Sequence, residues 1–393
     1  MGLGRREFLV SGSLMAASLA ARRAGAAGGA KYKACIIGDS KEGGYGHAIQ
    51  FAFSLRDDVA VVAVADPDEA GRAKCAAETG AERTYADYAV MLEKEQPDLV
   101  AVGPRWSARH KDYLLACAAV GAHGFIEKPL CVDLEEADAM VAAIEAKNLK
   151  WAIAFNVRAM PIVQHAQRLI ARDGLIGTLL EARARGKEDA RAGGEDLIVL
   201  GTHVLDLMRF FLDGEPASCC ADITAGGRPA VPADVREPSE RLGPVVGDRI
   251  HAMYGFPHGM AGYFDSMKNL DGNGGRFGID LYGSRGVVSI RIGAAAAVYW
   301  LDEPTWAPGG RESAWRPLPD APTAALSDPV KERNKAITDD LIAAVEEERT
   351  PAISLQDGRA AVEMIQAANE AYITGGRVSM PLTERSHPLR RWR

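Results

Sequence analysis

The chain has no apolar run long enough to cross a membrane as a helix. Its most apolar stretch, Phe8–Ala21, is too short for that. The six cysteines, at 35, 75, 117, 131, 219 and 220, include no C-x-x-C pair, so neither a zinc ribbon, a redox dithiol nor a disulfide framework is indicated. Cys35 on a strand and Cys117 on a helix are expected as buried apolar thiols, and the adjacent Cys219 and Cys220 are not expected to bond each other. Positive charge is in short supply: the net charge is −7, with no basic stripe apart from the tail Arg390-Arg391-Trp392-Arg393. That argues against a nucleic-acid partner and mildly against polyanionic substrates. Internal repeats are lacking too. What remains is ordinary for a folded protein, 47% hydrophobic and 25% charged, and at 393 residues long enough for two domains.

The first residues read as a leader. Arg5-Arg6 precedes Phe8–Ala21, and Ala24-Gly25-Ala26 gives an A-x-A cleavage site. This is the pattern of a twin-arginine signal, which exports folded proteins, so a periplasmic or secreted location is expected. Removal of residues 1–26 takes away four arginines and one glutamate, moving the net charge from −7 to −10.

From residue 31 to about 155, short apolar runs alternate with helical patterns. The strands expected are Ala34–Ile37, Val59–Ala65, Asp98–Val102, Gly124–Ile126 and Trp151–Phe155. The helices expected are His47–Leu55, Asp68–Thr79, Asp87–Lys94, Ser107–Val120 and Leu134–Lys147. Apolar strands joined by helices indicate a doubly wound parallel sheet, whose ligands sit at the carboxyl ends of the strands. After Phe155 come helices Pro161–Arg172 and Leu197–Leu212, a strand Thr178–Arg185, and then alternating segments between 218 and 301 separated by Gly- and Pro-rich turns, among them Asp271–Gly275. These imply a largely antiparallel sheet. Long loops are expected over 225–247 and 303–329, and closing helices over Asp328–Glu348 and Gln356–Thr374.

The central stretch is Lys31–Gly46. An apolar strand ends at Gly38, and a turn with Gly43, Gly44 and Gly46 leads into a helical pattern. Such a turn lets backbone N–H groups approach a pyrophosphate. Asp66, at the tip of the second strand, is placed to accept hydrogen bonds from a ribose 2′-OH. The glycine spacing departs from G-x-G-x-x-G by an insertion, and the Lys-Ser/Thr of a P-loop does not follow. His47 is expected to cap the start of the helix. Glu127-Lys128-Pro129 follows a strand at the mouth of the sheet, where a lysine with a depressed pKa could exchange a proton with a substrate hydroxyl.

The glycine turn, Asp66, Gly103-Pro104-Arg105-Trp106 with His110, Glu127-Lys128-Pro129 and Asn156-Val157-Arg158 together resemble the glucose–fructose oxidoreductase, inositol dehydrogenase and rhizopine-catabolism (Gfo/Idh/MocA) family over nearly all of the mature chain. The resemblance implies an α/β protein with a Rossmann domain over 31–157, after a leader and linker over 1–30. A C-terminal α+β domain with an open sheet follows over 158–393, its last helices packing back on the first domain. It implies that Lys128 is catalytic, with His203 beside it. Gly38, Ser40, Gly43, Gly44, Tyr45, Gly46, Asp66, Pro104, Arg105, Trp106, His110, Glu127, Lys128 and Asn156 would hold the dinucleotide. Lys128, Arg158, His203 and Trp106 would meet the substrate. No metal is expected. Many members have an aspartate four residues before the histidine; here Val199 stands there, leaving Asp196 or Asp206 as substitutes on the same face. The cofactor implied is tightly bound NAD, since no arginine directly follows Asp66, with NADP kept open by Arg72. The partners implied are a carbohydrate or polyol and a second copy, or three, of the chain through the C-terminal sheet.

Three functions follow from these residues. The first is hydride transfer between nicotinamide and a sugar, polyol or sugar derivative. The second is a glycosidase or lyase using bound NAD for transient oxidation. The third is a sugar-binding protein without catalysis, for which Val199 is the main support.

Overall fold

The computed structural model describes residues 29–238, 240–268, 275–293, 296–309, 313–322 and 328–392. The leader, most of the 271–275 turn and Arg393 lie outside them. The strands are β1 (Tyr32–Ile37), β2 (Val59–Ala65), β3 (Arg83–Tyr85), β4 (Leu99–Val102), β5 (His123–Ile126), β6 (Trp151–Ile153), β7 (Leu179–Arg185), β8 (Ser218–Ala225), β9 (Arg228–Pro229), β10 (Arg249–Gly255), β11 (Ala261–Met267), β12 (Gly278–Gly283), β13 (Val287–Arg291), β14 (Ala297–Leu301), β15 (Arg316–Pro317) and β16 (Val378–Ser379). The α-helices are α1 (Glu69–Thr79), α2 (Tyr88–Glu95), α3 (His110–Ala119), α4 (Leu134–Glu145), α5 (Pro161–Ala171), α6 (Gly194–Val199), α7 (Gly201–Leu212), α8 (Pro329–Glu346), α9 (Leu355–Thr374) and α10 (Pro388–Arg391).

The first sheet has the parallel order β3-β2-β1-β4-β5-β6. The order reverses between β1 and β4, so the crevice for a ligand opens above Ile37 and Val102. β4 is buried along its whole length, as a strand covered on both faces must be. Helices start where the sequence supplies oxygen caps. Asp68, Asp87 and Asp133 accept from the N–H groups of Gly71, Ala89 and Glu136.

The second sheet is mixed and mostly antiparallel, in the order β15-β14-β13-β12-β7-β11-β10-β8-β16 with β9 beside β8. Its one parallel pair is β7 with β11. One face is buried under helices. The other carries Met253, Tyr263 and Tyr282, each only half covered.

The last two long helices return to the first domain. Thr338 Oγ1 on α8 donates to Ala52 O at 3.0 Å, and Arg56 pairs with Asp339 at 2.5 Å. Gln366 Nε2 on α9 reaches Val132 O at 3.0 Å. Five of the six cysteines are buried and Cys220 is half-buried, all as free thiols.

Two expectations need correction. His47–Leu55 is not an α-helix: Gly46–Phe51 is a short 3₁₀ segment, with His47 and Ala48 in the left-handed region at φ 45° and 54°. Leu197–Leu212 is also not one helix; it breaks at Leu200 between α6 and α7.

Trp151 is an anchor of the first sheet. It is fully buried, donates Nε1 to Ala122 O at 3.1 Å, and fills the space that a side chain on Gly124 would need. Replacing it by alanine is expected to cost about 3–5 kcal/mol. Urea denaturation of Trp151→Ala checks this, and a loss below about 1 kcal/mol would contradict it.

Candidate active site

The site is built where β1, β4 and β5 end and where α6 and α7 meet them from the second domain. Lys128 follows β5, next to the cis peptide to Pro129. Its Nζ is buried and donates to the backbone carbonyl of Val199 at 2.8 Å. That carbonyl is available because the helix breaks there. The N–H of His203, which would take it in a continuous helix, instead bonds Leu200 O at 3.1 Å. Val199, which lacks the expected aspartate side chain, therefore supplies a main-chain acceptor. Burial lowers the Lys128 pKa; Glu127 and Glu240 oppose this, and Arg191 and Arg105 add to it.

Glu127 is fully buried, and one oxygen accepts from the Lys128 N–H at 2.6 Å. The other is paired with His47 Nδ1. Burial alone would raise the Glu127 carboxyl, but His47 and then Lys128 hold it below its ordinary value. His203, on α7, is buried with its ring edge-on to His47 at 5.7 Å and to Phe155 at 6.1 Å. Its Nδ1 has no partner among the described residues. Burial, and then the charges of Lys128, His47 and Arg333, push its pKa well down, so the ring is neutral. An amine with a depressed pKa, a carboxylate and two imidazoles thus share one cleft, a set suited to moving a proton on or off a hydroxyl.

The glycine turn closes on itself. A Cβ on Gly38 would land inside the Tyr45 ring, and one on Gly43 would lie 2.9 and 3.0 Å from the backbone nitrogens of Arg105 and Trp106. A Cβ on Gly46 would collide with Glu127. Gly44 N bonds Asp39 O at 2.8 Å. Asp66 is not a free acceptor awaiting a ribose. Its carboxylate already takes Ser40 N and Oγ, the Tyr45 hydroxyl at 3.0 Å and Asp68 N at 2.9 Å.

Other expected site residues have structural partners. His110 is buried between the carbonyls of Pro104 (2.7 Å) and Leu130 (3.0 Å). Asp196 is tied to Ser266 Oγ at 2.6 Å and to the N–H groups of Lys187 and Glu188. Asp206 faces Arg158 at 3.0 Å, and Arg158 also pairs with Asp357 at 3.3 Å. Neither aspartate joins Lys128 and His203, and Arg158 is occupied by carboxylates of its own domain. Arg105 Nε bonds Gly43 O at 3.2 Å. Trp106 lies under the Arg241 guanidinium at 5.2 Å, and Arg241 also pairs with Glu42 at 2.6 Å, so a loop of the second domain straps across the glycine turn.

The sequence did not reveal the parts played by His47, Asn334 and the Val199 carbonyl. His47 does not cap a helix; it points at Glu127. Asn334 on α8 donates to His47 O at 2.7 Å and accepts from Asn156 at 2.6 Å. No motif marks Asn334, and a main-chain acceptor carries no side-chain signal.

The same crevice fits a polar dinucleotide in its unspent groups. Trp106 Nε1, Ser107 Oγ, Asn156 Oδ1 and His203 Nδ1 are buried around it without partners among the described residues, beside glycines that leave the backbone bare. Among the described residues no cluster of metal-ligating side chains occurs.

Comparison with known proteins agrees with this geometry. The model for an oxidoreductase family with an NAD-binding Rossmann fold matches residues 33–155, and that for the GFO/IDH/MocA C-terminal domain matches residues 163–289. The chain is 28% identical over 253 residues to levoglucosan dehydrogenase of Pseudarthrobacter phenanthrenivorans, covering 58% of this chain and 63% of that one. It is 34% identical over 164 residues to D-apiose dehydrogenase of Paraburkholderia graminis, covering 39% and 43%. The matches thus span about half the length of these relatives. A solved levoglucosan dehydrogenase, in complex with NADH and L-sorbose, superposes with a TM-score of 0.72 at 21% identity over 89% of this chain and 98% of that one, which shows the shared fold.

Asp206 gives a pH test. Burial, partly offset by Arg158, raises its carboxyl pKa from 3.8 to about 6. A raised acid contributes stability below its unfolded pKa and loses it as pH rises through the folded value. Between about pH 4 and 6 this contribution falls by on the order of 3 kcal/mol. Asp206→Asn is expected to flatten that part of the stability–pH profile, measured by urea denaturation at several pH values. A variant profile parallel to wild type would contradict it.

Proposed function

Because the chain belongs to the Gfo/Idh/MocA oxidoreductase family, we propose that it transfers hydride between nicotinamide and a hydroxyl-bearing carbon of a sugar, polyol or sugar derivative. The observation that carries this reading is Lys128, a buried amine with a depressed pKa, held beside Glu127 and His203 at the carboxyl edge of the sheet. Relatives named for levoglucosan, D-apiose and myo-inositol support the substrate class. When bound, NAD supplies the hydride acceptor. Gly38, Gly43 and Gly46 would let the pyrophosphate approach the backbone, and Glu127 would lie near the nicotinamide end. Asp66 would meet the ribose by exchanging a bond it now makes to Tyr45 or Ser40, which favours NAD over NADP.

In the chemical step, neutral Lys128 takes the hydroxyl proton while His203, kept neutral by its neighbours, accepts from or donates to the same oxygen. Val199 O orients the amine. Subunits would pair through the half-covered face carrying Met253, Tyr263 and Tyr282. Export as a folded protein by the Arg5-Arg6 leader fits a cofactor taken up before leaving the cytoplasm. Replacing both arginines by lysine is expected to leave precursor inside the cell on fractionation; arrival in the periplasm at normal levels would sink this part of the reading.

Lys128→Ala is expected to lose at least about a hundredfold in turnover, roughly 2.7 kcal/mol, while still binding NAD. Single-turnover reduction of bound NAD with a panel of sugars and polyols tests it, alongside calorimetry of NAD and NADP on stripped protein. Near-native rates in the variant would mean that Glu127-Lys128-Pro129 is only a structural turn.

A further inference from the structure

His47 is held at a cost. It and Ala48 are consecutive non-glycine residues in the left-handed region, at φ 45° and 54°. Such backbone costs on the order of 1 kcal/mol or more per residue and persists only where neighbours enforce it. Here the enforcement is explicit. Gly46 N bonds Gly103 O at 2.8 Å, and Asn334 Nδ2 bonds His47 O at 2.7 Å. Asn156 in turn fixes Asn334 at 2.6 Å. The strain turns the imidazole away from the helical path and onto the buried Glu127 carboxylate, with its ring edge against His203.

Exposure then separates His47 from its neighbours. Its side chain is 32% accessible, whereas Glu127 is at 0%, His203 at 4% and Lys128 at 6%. Of these four groups His47 is the one that reaches water, and the part-exposed Glu240, whose charge also acts on Lys128, is paired with Arg191 at 3.4 Å. We propose that His47, backed by Glu127, is the relay through which the substrate hydroxyl proton passes between the buried site and solvent. This rests on the oxidoreductase reading above. In the oxidation direction the C–H electron pair leaves as hydride to oxidised nicotinamide. The O–H proton leaves on the Lys128 amine, crosses to His47 through water in the cleft, and is released to solvent. Lys128 and His47 return to their starting states, and the alcohol carbon becomes a carbonyl. Glu127 acts as the counter-charge to the transient imidazolium and does not itself take the proton. Asn156 and Asn334 are positioning residues.

His47→Asn tests this, because asparagine tolerates left-handed backbone; His47→Gln, longer and amide-bearing, is the second variant. Both are expected to bind NADH within about twofold of wild type by nicotinamide fluorescence, and to lose roughly tenfold to a hundredfold in kcat with KM little changed. Imidazole added to the buffer restores part of the loss. Wild-type turnover in both variants, or a loss that imidazole does not restore, overturns the relay. A second readout does not need turnover. Proton NMR of the wild-type protein is expected to show a downfield imidazole N–H from the His47–Glu127 pair, absent in His47→Asn and in Glu127→Gln and moved by NADH. Its absence from wild type, or indifference to NADH, overturns the assignment. If wild-type protein reduces no cofactor with any sugar, the oxidoreductase reading fails, and the NMR result alone judges the His47 pairing.

Discussion

A buried amine needs an acceptor, and Lys128 finds one across the domain boundary, at Val199 O. Taking an ammonium out of water is expensive unless it is bonded or gives up its proton. The chain meets this demand by breaking a helix. With the helix broken at Leu200, the Val199 carbonyl at the end of α6 faces Lys128. The break also starts α7 at Gly201, where a side chain would press on the Phe264 ring, and so sets where His203 enters the cleft. One hydrogen bond thus ties together the mouth of the parallel sheet, the kink between two helices and the second domain.

The nucleotide side of the crevice follows a different rule. Its strongest acceptor, Asp66, is spent on the turn above it, and Tyr45 lies over the one residue small enough to allow it. Ser40 and Tyr45, both within the turn, make this closure by bonding the same carboxylate. Burial and the Asp66 charge both hold the Tyr45 phenol un-ionised, so it stays a donor to that carboxylate. The turn is therefore preformed around its own side chains, and ligand binding trades bonds in place of simply making new ones.

Much of this was legible in the residues. β2 and β4 are continuous apolar runs between turn signals, and burial on both faces is what such runs mean. Asp68 and Asp87 stand at the starts of their helices as the sequence places them, and Glu127-Lys128-Pro129 follows its strand as expected. Other features were hidden for physical reasons. β3 is a short, exposed edge, Arg83-Thr84-Tyr85, with no apolar pattern to see. Ile49, Ala52 and Phe53 have helical spacing and are buried, yet the backbone at 47–48 is left-handed, because a hydrogen bond to Glu127, 80 positions away, outweighs local preference. Asp196 and Asp206 share a helical face with His203 on paper, but Ser266 and Arg158 claim them first. Spacing reports which face a side chain takes, not which partner it meets there.

The bond from Asn334 to His47 spans 287 positions. Read as a matter of synthesis on the ribosome, it sets an order of events. The parallel sheet can collapse once its own strands have emerged, since domains fold as units during translation. The left-handed turn at His47 must wait until α8 has been made, and α9 then seals the other side against Val132. The chain's final fifth therefore acts as a completion signal for its first. A truncated product would hold a folded sheet with an unfinished cleft, and only full-length molecules would present a site ready to be filled.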